Sequence, residues 1–219
     1  MFLGHFGAVL AAKRLTPYTS LGTLILAVQL LDLAWPTLLV LGVERVRIDP
    51  GNTRVTPLAF EYYPWSHSLL MSLAWAALLA GGYFIFRRYP RGAWVIGLGV
   101  VSHWVLDFVS HGPDLPLAPG LSLTVGLGLW NSIRLTLLVE AVLFFGGLWI
   151  YVRNTEPTDP LGRHTLTGFV IVLLIVYALN VFGPPPPGVD AIAVAGHAQW
   201  LLVGWAVWID RHRVAIRQW

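Results

Sequence analysis

The chain contains no cysteine. Disulfides and thiolate metal sites are excluded, so any bound metal must be held by His, Asp, Glu or backbone oxygen. Charge is also scarce. Asp, Glu, Lys and Arg make up 11% of the residues, against about 25% in a soluble domain, too few for a water-facing surface. The net charge of +3 is small and its carriers fall mainly between apolar stretches. That pattern reads as membrane topology, and no nucleic-acid partner is expected. A cleavable leader is not expected either. Lys13-Arg14 follow the first apolar run, whereas a signal peptide carries its basic residues first.

What fills the chain instead is hydrophobic residue, 56% of the total, with a mean hydropathy of +0.68. A membrane-spanning helix needs about 20 mostly apolar residues. Six stretches qualify: Leu21–Val43, Ser68–Phe86, Ala93–Ser110, Ile133–Val152, Thr165–Phe182 and Ala191–Ile209. The expected fold is an all-α polytopic integral membrane bundle, a single transmembrane domain over residues 1–219. A seventh hydrophobic segment, Phe2–Leu15, is short. A short span, a re-entrant helix and an interfacial helix all fit it. Breaks at Tyr89-Pro90-Arg91-Gly92, at Glu156 to Pro160 and at Gly183 to Gly188 carry turn and polyproline chemistry.

If the six spans alternate, Lys13, Arg14, Arg87, Arg88, Arg91, Arg153, Arg163, Arg211, Arg213 and Arg217 share one side. Arg45, Arg47, Arg54 and Arg134 fall on the other. The richer side is expected to be cytoplasmic. In a bacterial inner membrane the loops Glu44–His67 and Gly112–Ser132 then face the periplasm. Trp65, Trp130, Trp149 and Trp219 fall near predicted helix ends or in loops, as interface anchors do. Lys13-Arg14 read as a cytoplasmic anchor, or as phosphate-binding cations in a re-entrant segment.

Ionisable residues inside spans are costly and point to function. Asp32, His103, Asp107, Glu140 and His197 lie inside predicted spans, and His67 opens one within Ser66-His67-Ser68. Ser66 or Ser68 reads as a helix cap, not a nucleophile. His103, Asp107 and His111 are four residues apart, which places them along one helix face. Imidazole with carboxylate suits zinc, and manganese or iron accept similar sets. The expected topology gathers His67, His103, Asp107, His111 and Glu140 in the outer half of the bilayer, joined by His5 if Phe2–Leu15 crosses with Lys13-Arg14 inside. Gln29 and Gln199 are in-span amides suited to helix–helix hydrogen bonds.

Gly4-His5, Asp32, Ser66-His67-Ser68 and Ser102-His103 followed by Asp107 resemble the membrane-bound, metal-dependent hydrolase-like proteins of bacterial inner membranes, the LexA-regulated group. The resemblance covers roughly residues 1–120. The three spans from Ile133 to the end carry less of it. The acidic cluster that follows the first histidine in that family is reduced here to Asp32, and Tyr63-Pro64 replace its arginine–glycine. The order of histidines and aspartates is also similar to that of zinc-dependent phospholipase C. That likeness implies one metal held by Asp32, His67, His103 and Asp107, with Asp107 bridging to a second held by His5. Glu140 is the expected water-orienting residue or supplementary ligand. Together these readings imply one or two divalent ions, zinc first and manganese or iron after it, and a metal-activated water attacking a phosphoester of a lipid or lipid-linked substrate. Two other readings of the same residues stay open: an ion or proton pathway in a small transporter, and a non-catalytic scaffold whose polar groups pair for packing.

Overall fold

The computed structural model describes residues 1–216, so Arg217 and Trp219 lie outside the described residues. The chain is an all-α polytopic bundle. Its helices are α1 (Leu3–Ala12), α2 (Leu21–Val28), α3 (Leu30–Val40), the single turn α4 (Pro64–His67), α5 (Leu69–Arg87), α6 (Pro90–Ser110), α7 (Ile133–Asn154), α8 (Pro160–Phe182) and α9 (Val189–Arg211). Five of them, α5 to α9, are long and apolar enough to cross a membrane.

The segment expected as one span over Leu21–Val43 is instead two helices, α2 and α3, bent by 55° at a break. The break residue is Gln29, which leaves helical geometry at φ −91° and ψ 5°. Its side-chain amide donates to Gln199 Oε1 on α9 at 3.2 Å. Counting the bent pair as one gives six spans.

α1 is neither interfacial nor long enough to cross. Its 10 residues measure about 15 Å against about 30 Å of hydrocarbon. Leu3, His5, Phe6, Val9 and Leu10 are all buried, chiefly against α7, with α2 and α6 on other sides. Glycine permits that approach. A Cβ on Gly7 would run into the Leu143 backbone carbonyl, and one on Gly147 into that of Gly7. Small residues let membrane helices touch backbone to backbone in this way.

The bundle is inside out relative to a soluble protein. His5, Gln29, His67, His103, Asp107 and Glu140 are buried, whereas Leu78, Phe86, Leu98, Leu138, Leu179 and Leu201 are exposed. An apolar exterior of that extent suits lipid and not water.

Loops carry the only strands among the described residues. β1 (Arg45–Ile48) and β2 (Leu58–Tyr62) form an antiparallel pair in the loop before α4. β3 (Leu115–Pro116) pairs with β4 (Thr124–Val125) in the loop after α6. β5 (Thr155–Pro157), after α7, pairs with β6 (Arg213–Ala215), which follows α9. That last pair clips the ends of α7 and α9 together.

Candidate metal centre

Five residues from distant parts of the chain meet in one buried cluster. α1 supplies His5, α3 supplies Asp32, α4 supplies His67, and α6 supplies His103 and Asp107. Two groups have donor atoms mutually within 4.8 Å: His5, His103 and Asp107, and Asp32, His67 and His103. Either group could hold a metal ion.

The proton positions follow from the surrounding hydrogen bonds. His103 Nδ1 lies 2.6 Å from the Val28 carbonyl oxygen. A carbonyl only accepts, so Nδ1 carries the proton and a neutral ring turns a lone pair outward at Nε2. That Nε2 is buried and has no hydrogen-bond partner, although Asp107 Oδ2 is 3.1 Å away and Asp32 Oδ1 3.7 Å away.

His67 is set in the same way by a longer chain. Ser66 Oγ donates to Glu44 Oε2 at 2.6 Å and lies 2.7 Å from His67 Nδ1. The hydroxyl proton is committed to the carboxylate, so Ser66 Oγ accepts from Nδ1–H. His67 Nε2 then presents its lone pair to Asp32 Oδ1 at 3.3 Å and Asp107 Oδ2 at 3.8 Å.

With both rings neutral, acceptors face acceptors across a buried space, which is unfavourable unless a cation lies between them, either a proton on an imidazole or a bound metal ion. The four nitrogen–oxygen separations run from 3.1 to 3.8 Å. Two donors at tetrahedral positions about 2.0–2.1 Å from a common zinc sit about 3.3–3.4 Å apart. The donor set and its spacing fit a divalent ion.

His5 occupies the other side of Asp107. Its Nε2 is 3.2 Å from Asp107 Oδ1, its Nδ1 has no partner, and its ring stacks on His103 at 3.8 Å between centroids. The Met1 amino group also reaches Asp107 Oδ1, at 2.6 Å. Because His103 offers one free lone pair, the two groups cannot each take an ion through it. Only the Asp107 carboxylate, with Oδ1 toward His5 and Oδ2 toward His67 and His103, has an atom for each side. Asp32 is the member that opens outward, with 25% of its side chain exposed against 3% for Asp107.

His111 and Glu140 lie outside both groups. α6 ends at Ser110, and His111 turns to an extended ψ of 153° ahead of Gly112-Pro113. The helical line from His103 through Asp107 stops one residue short. His111 Nδ1 instead meets Asp114 Oδ1 at 3.1 Å and the Tyr63 hydroxyl at 3.2 Å. Burial pushes the Tyr63 phenol well above its ordinary range, so it stays a donor. Glu140 Oε2 accepts from the backbone N–H of Phe2 at 3.0 Å and of Gly4 at 3.1 Å. It caps the amino end of α1 from a neighbouring helix, a duty helix starts require. His197 is elsewhere too, 3.1 Å from Thr37 Oγ1.

Two contributors were not legible in the sequence. Glu44 reads as a loop acid at the edge of a span, yet it is 2% exposed. Its Oε1 accepts from the N–H of Trp65 and of Ser66, both at 2.8 Å. Val28 acts only through its carbonyl, which no side-chain pattern reveals. Comparison with protein-family models, curated proteins and solved structures finds no match for this chain.

Proposed function

We propose that this chain is a membrane-bound metal-dependent hydrolase that cleaves a phosphoester of a lipid or lipid-linked substrate. The observation that carries the reading is the convergence of lone pairs. His67 Nε2 and His103 Nε2 are held in one tautomer each, and both face the carboxylates of Asp32 and Asp107. The ion is one or two of zinc, with manganese or iron accepting the same donors.

A divalent ion in such a site supplies Lewis acidity for a phosphoryl oxygen and acidifies a water. The chain's own residues do the rest. Val28 and Ser66 fix the ring orientations, and Glu44 fixes Ser66. Asp32, the exposed edge of the cluster, is where a head group would enter. The cluster lies near the end of α6 and the start of α5. With the basic ends of the helices in the cytoplasm, that is the outer leaflet of a bacterial inner membrane. The resemblance of Gly4-His5, Ser66-His67-Ser68 and His103 with Asp107 to membrane-bound hydrolase-like proteins points the same way.

An ion or proton pathway through the bundle would use Glu140 and His197, other ionisable residues within spans. Glu140 is committed to capping α1, and His197 bonds to Thr37 and to its own helix at Ala193. Neither extends the cluster across the bundle.

The test is metal analysis of protein purified in mild detergent, without chelator or metal-affinity resin, beside Asp107→Ala. One or two zinc, manganese or iron ions per chain, lost in the variant, is the expected result. A folded wild type that holds no metal and takes up none on titration overturns the reading. Hydrolysis of a phospholipid panel by the metal-loaded protein then tests the substrate class.

A further inference from the structure

The opposite end of the bundle holds a second candidate site. Along α6, Arg91 lies 16 residues before Asp107, about 24 Å away at the helical rise. An open groove of about 1100 Å³ surrounds that end and is lined by Lys13, Arg14, Arg87, Arg91 and Arg213, with Asp210 the single acid. The cations come from the ends of α1 and α5, the start of α6, and β6.

Two of the five are already committed. Lys13 Nζ, nearly buried, donates to the Thr19 carbonyl at 2.7 Å and to Asp210 Oδ1 at 3.2 Å. Asp210 also accepts from the backbone N–H of Leu21. Arg213 is buried and spends its guanidinium on the carbonyls of Thr155 and Gly162, at 3.0 and 3.1 Å. Arg14, Arg87 and Arg91 are exposed and make no ion pair among the described residues. Topology accounts for basic residues on one side of a membrane, spread over loops. It does not account for their convergence on one groove, where like charges repel. Hydroxyl side chains, among them Ser20, Thr23 and Tyr83, share the lining. A smaller cavity adjoins it, sharing Arg14 and bounded by Trp149 and Arg153.

We propose that this groove binds a phosphate-bearing anion, clamped by Arg14, Arg87 and Arg91 over a floor of Lys13 and Arg213. Guanidinium forks match phosphate oxygens. Basic pockets between membrane helices take anionic lipid head groups, and a soluble phosphate compound has the same binding chemistry. The groove is independent of the metal reading, since it shares no residue with the His/Asp cluster.

The experiment uses the full chain in detergent. Retention of phosphatidylglycerol against phosphatidylcholine is measured by native mass spectrometry, and inorganic pyrophosphate binding by titration calorimetry. The comparison proteins are Arg87→Gln/Arg91→Gln and, at the far end, Arg134→Gln. A preference of about tenfold or more for phosphatidylglycerol, lost in the double variant and kept in Arg134→Gln, establishes a lipid site. Pyrophosphate binding with the same dependence, and no lipid preference, establishes a site for a soluble phosphate. Equal retention of the two lipids with no pyrophosphate binding overturns the proposal, as does binding that the double variant retains while it elutes as wild type. Arg14→Gln provides a second, independent loss variant.

Discussion

His103 Nδ1 donates to the carbonyl of Val28, the last residue of α2, at 2.6 Å. In an unbroken helix that carbonyl would accept from the N–H four residues on. The bend at Gln29 turns α3 away and leaves the oxygen for the imidazole. The broken helix and the tautomer of His103 are thus one structural fact. Backbone irregularity inside a membrane is tolerated where side chains satisfy the freed groups.

Asp32→Asn and Asp107→Asn keep volume and remove charge from the lone-pair cluster. Bound metal is expected to fall to a small fraction of wild type in each, and hydrolysis by at least about 100-fold, because the ligand and the Lewis acid are lost together. Plasma mass spectrometry checks the first and single-turnover hydrolysis the second. Wild-type metal content in both variants would sink the assignment.

Glu44 holds His67 through Ser66, without touching the cluster itself. Partners that orient a ligating imidazole typically contribute 10–100-fold in metal affinity. Glu44→Ala is expected to weaken metal binding by about that factor, with Glu44→Gln milder because it can still accept. Competition against a fluorescent chelator measures it. The alanine variant also strands the N–H groups of Trp65 and Ser66, at about 1–3 kcal/mol for each buried donor left unpaired.

Glu140→Ala separates structure from chemistry. The carboxylate caps α1 through Phe2 and Gly4, and losing a cap costs about 0.5–2 kcal/mol. The melting temperature in detergent should drop while metal stoichiometry stays at the wild-type value. Loss of metal from a variant that melts and elutes as wild type would instead place Glu140 in the coordination chemistry.

Gly7→Val and Gly147→Val are expected to force α1 and α7 apart, since each added side chain meets backbone. Overpacking costs about 1–3 kcal/mol where the neighbour can yield, and backbone yields little. Because α1 carries His5, both variants should also lower metal retention. Size-exclusion profile, thermal melt and metal content together check this.

The loop between α7 and α8 gives a pH prediction outside the cluster. His212 Nδ1 lies 2.7 Å from Asp159 Oδ2, and the Gly162 N–H donates to Asp159 Oδ1 at 2.9 Å. The hydrogen bond with His212, then that from Gly162, hold the Asp159 carboxyl below its ordinary value. A lowered carboxyl stabilises the fold above its unfolded value of about 3.9. That contribution disappears as pH falls through the folded value. Asp159→Asn should therefore melt below wild type at pH 7, and the gap should close toward pH 3. A gap constant over that range would count against the pairing.

The sequence by itself determined the class of molecule, because 11% charge cannot clothe a bundle of six apolar stretches in water. It also singled out His5, Asp32, His67, His103 and Asp107, since ionisable groups in hydrocarbon are costly, but by the same rule it singled out Glu140 and His197, which cap a helix and bond to Thr37 outside the cluster. Helix periodicity carries such information, being local. It carried His111 too far, because the end of α6 was invisible from spacing alone. Only the tertiary structure decided which way each imidazole faces. Those orientations rest on Glu44, on Ser66 and on a carbonyl at a helix break, contacts that span 22 residues in one case and 75 in another. Long-range hydrogen bonds of that kind have no period to read, and the bend at Gln29 depends on an amide partner 170 residues away.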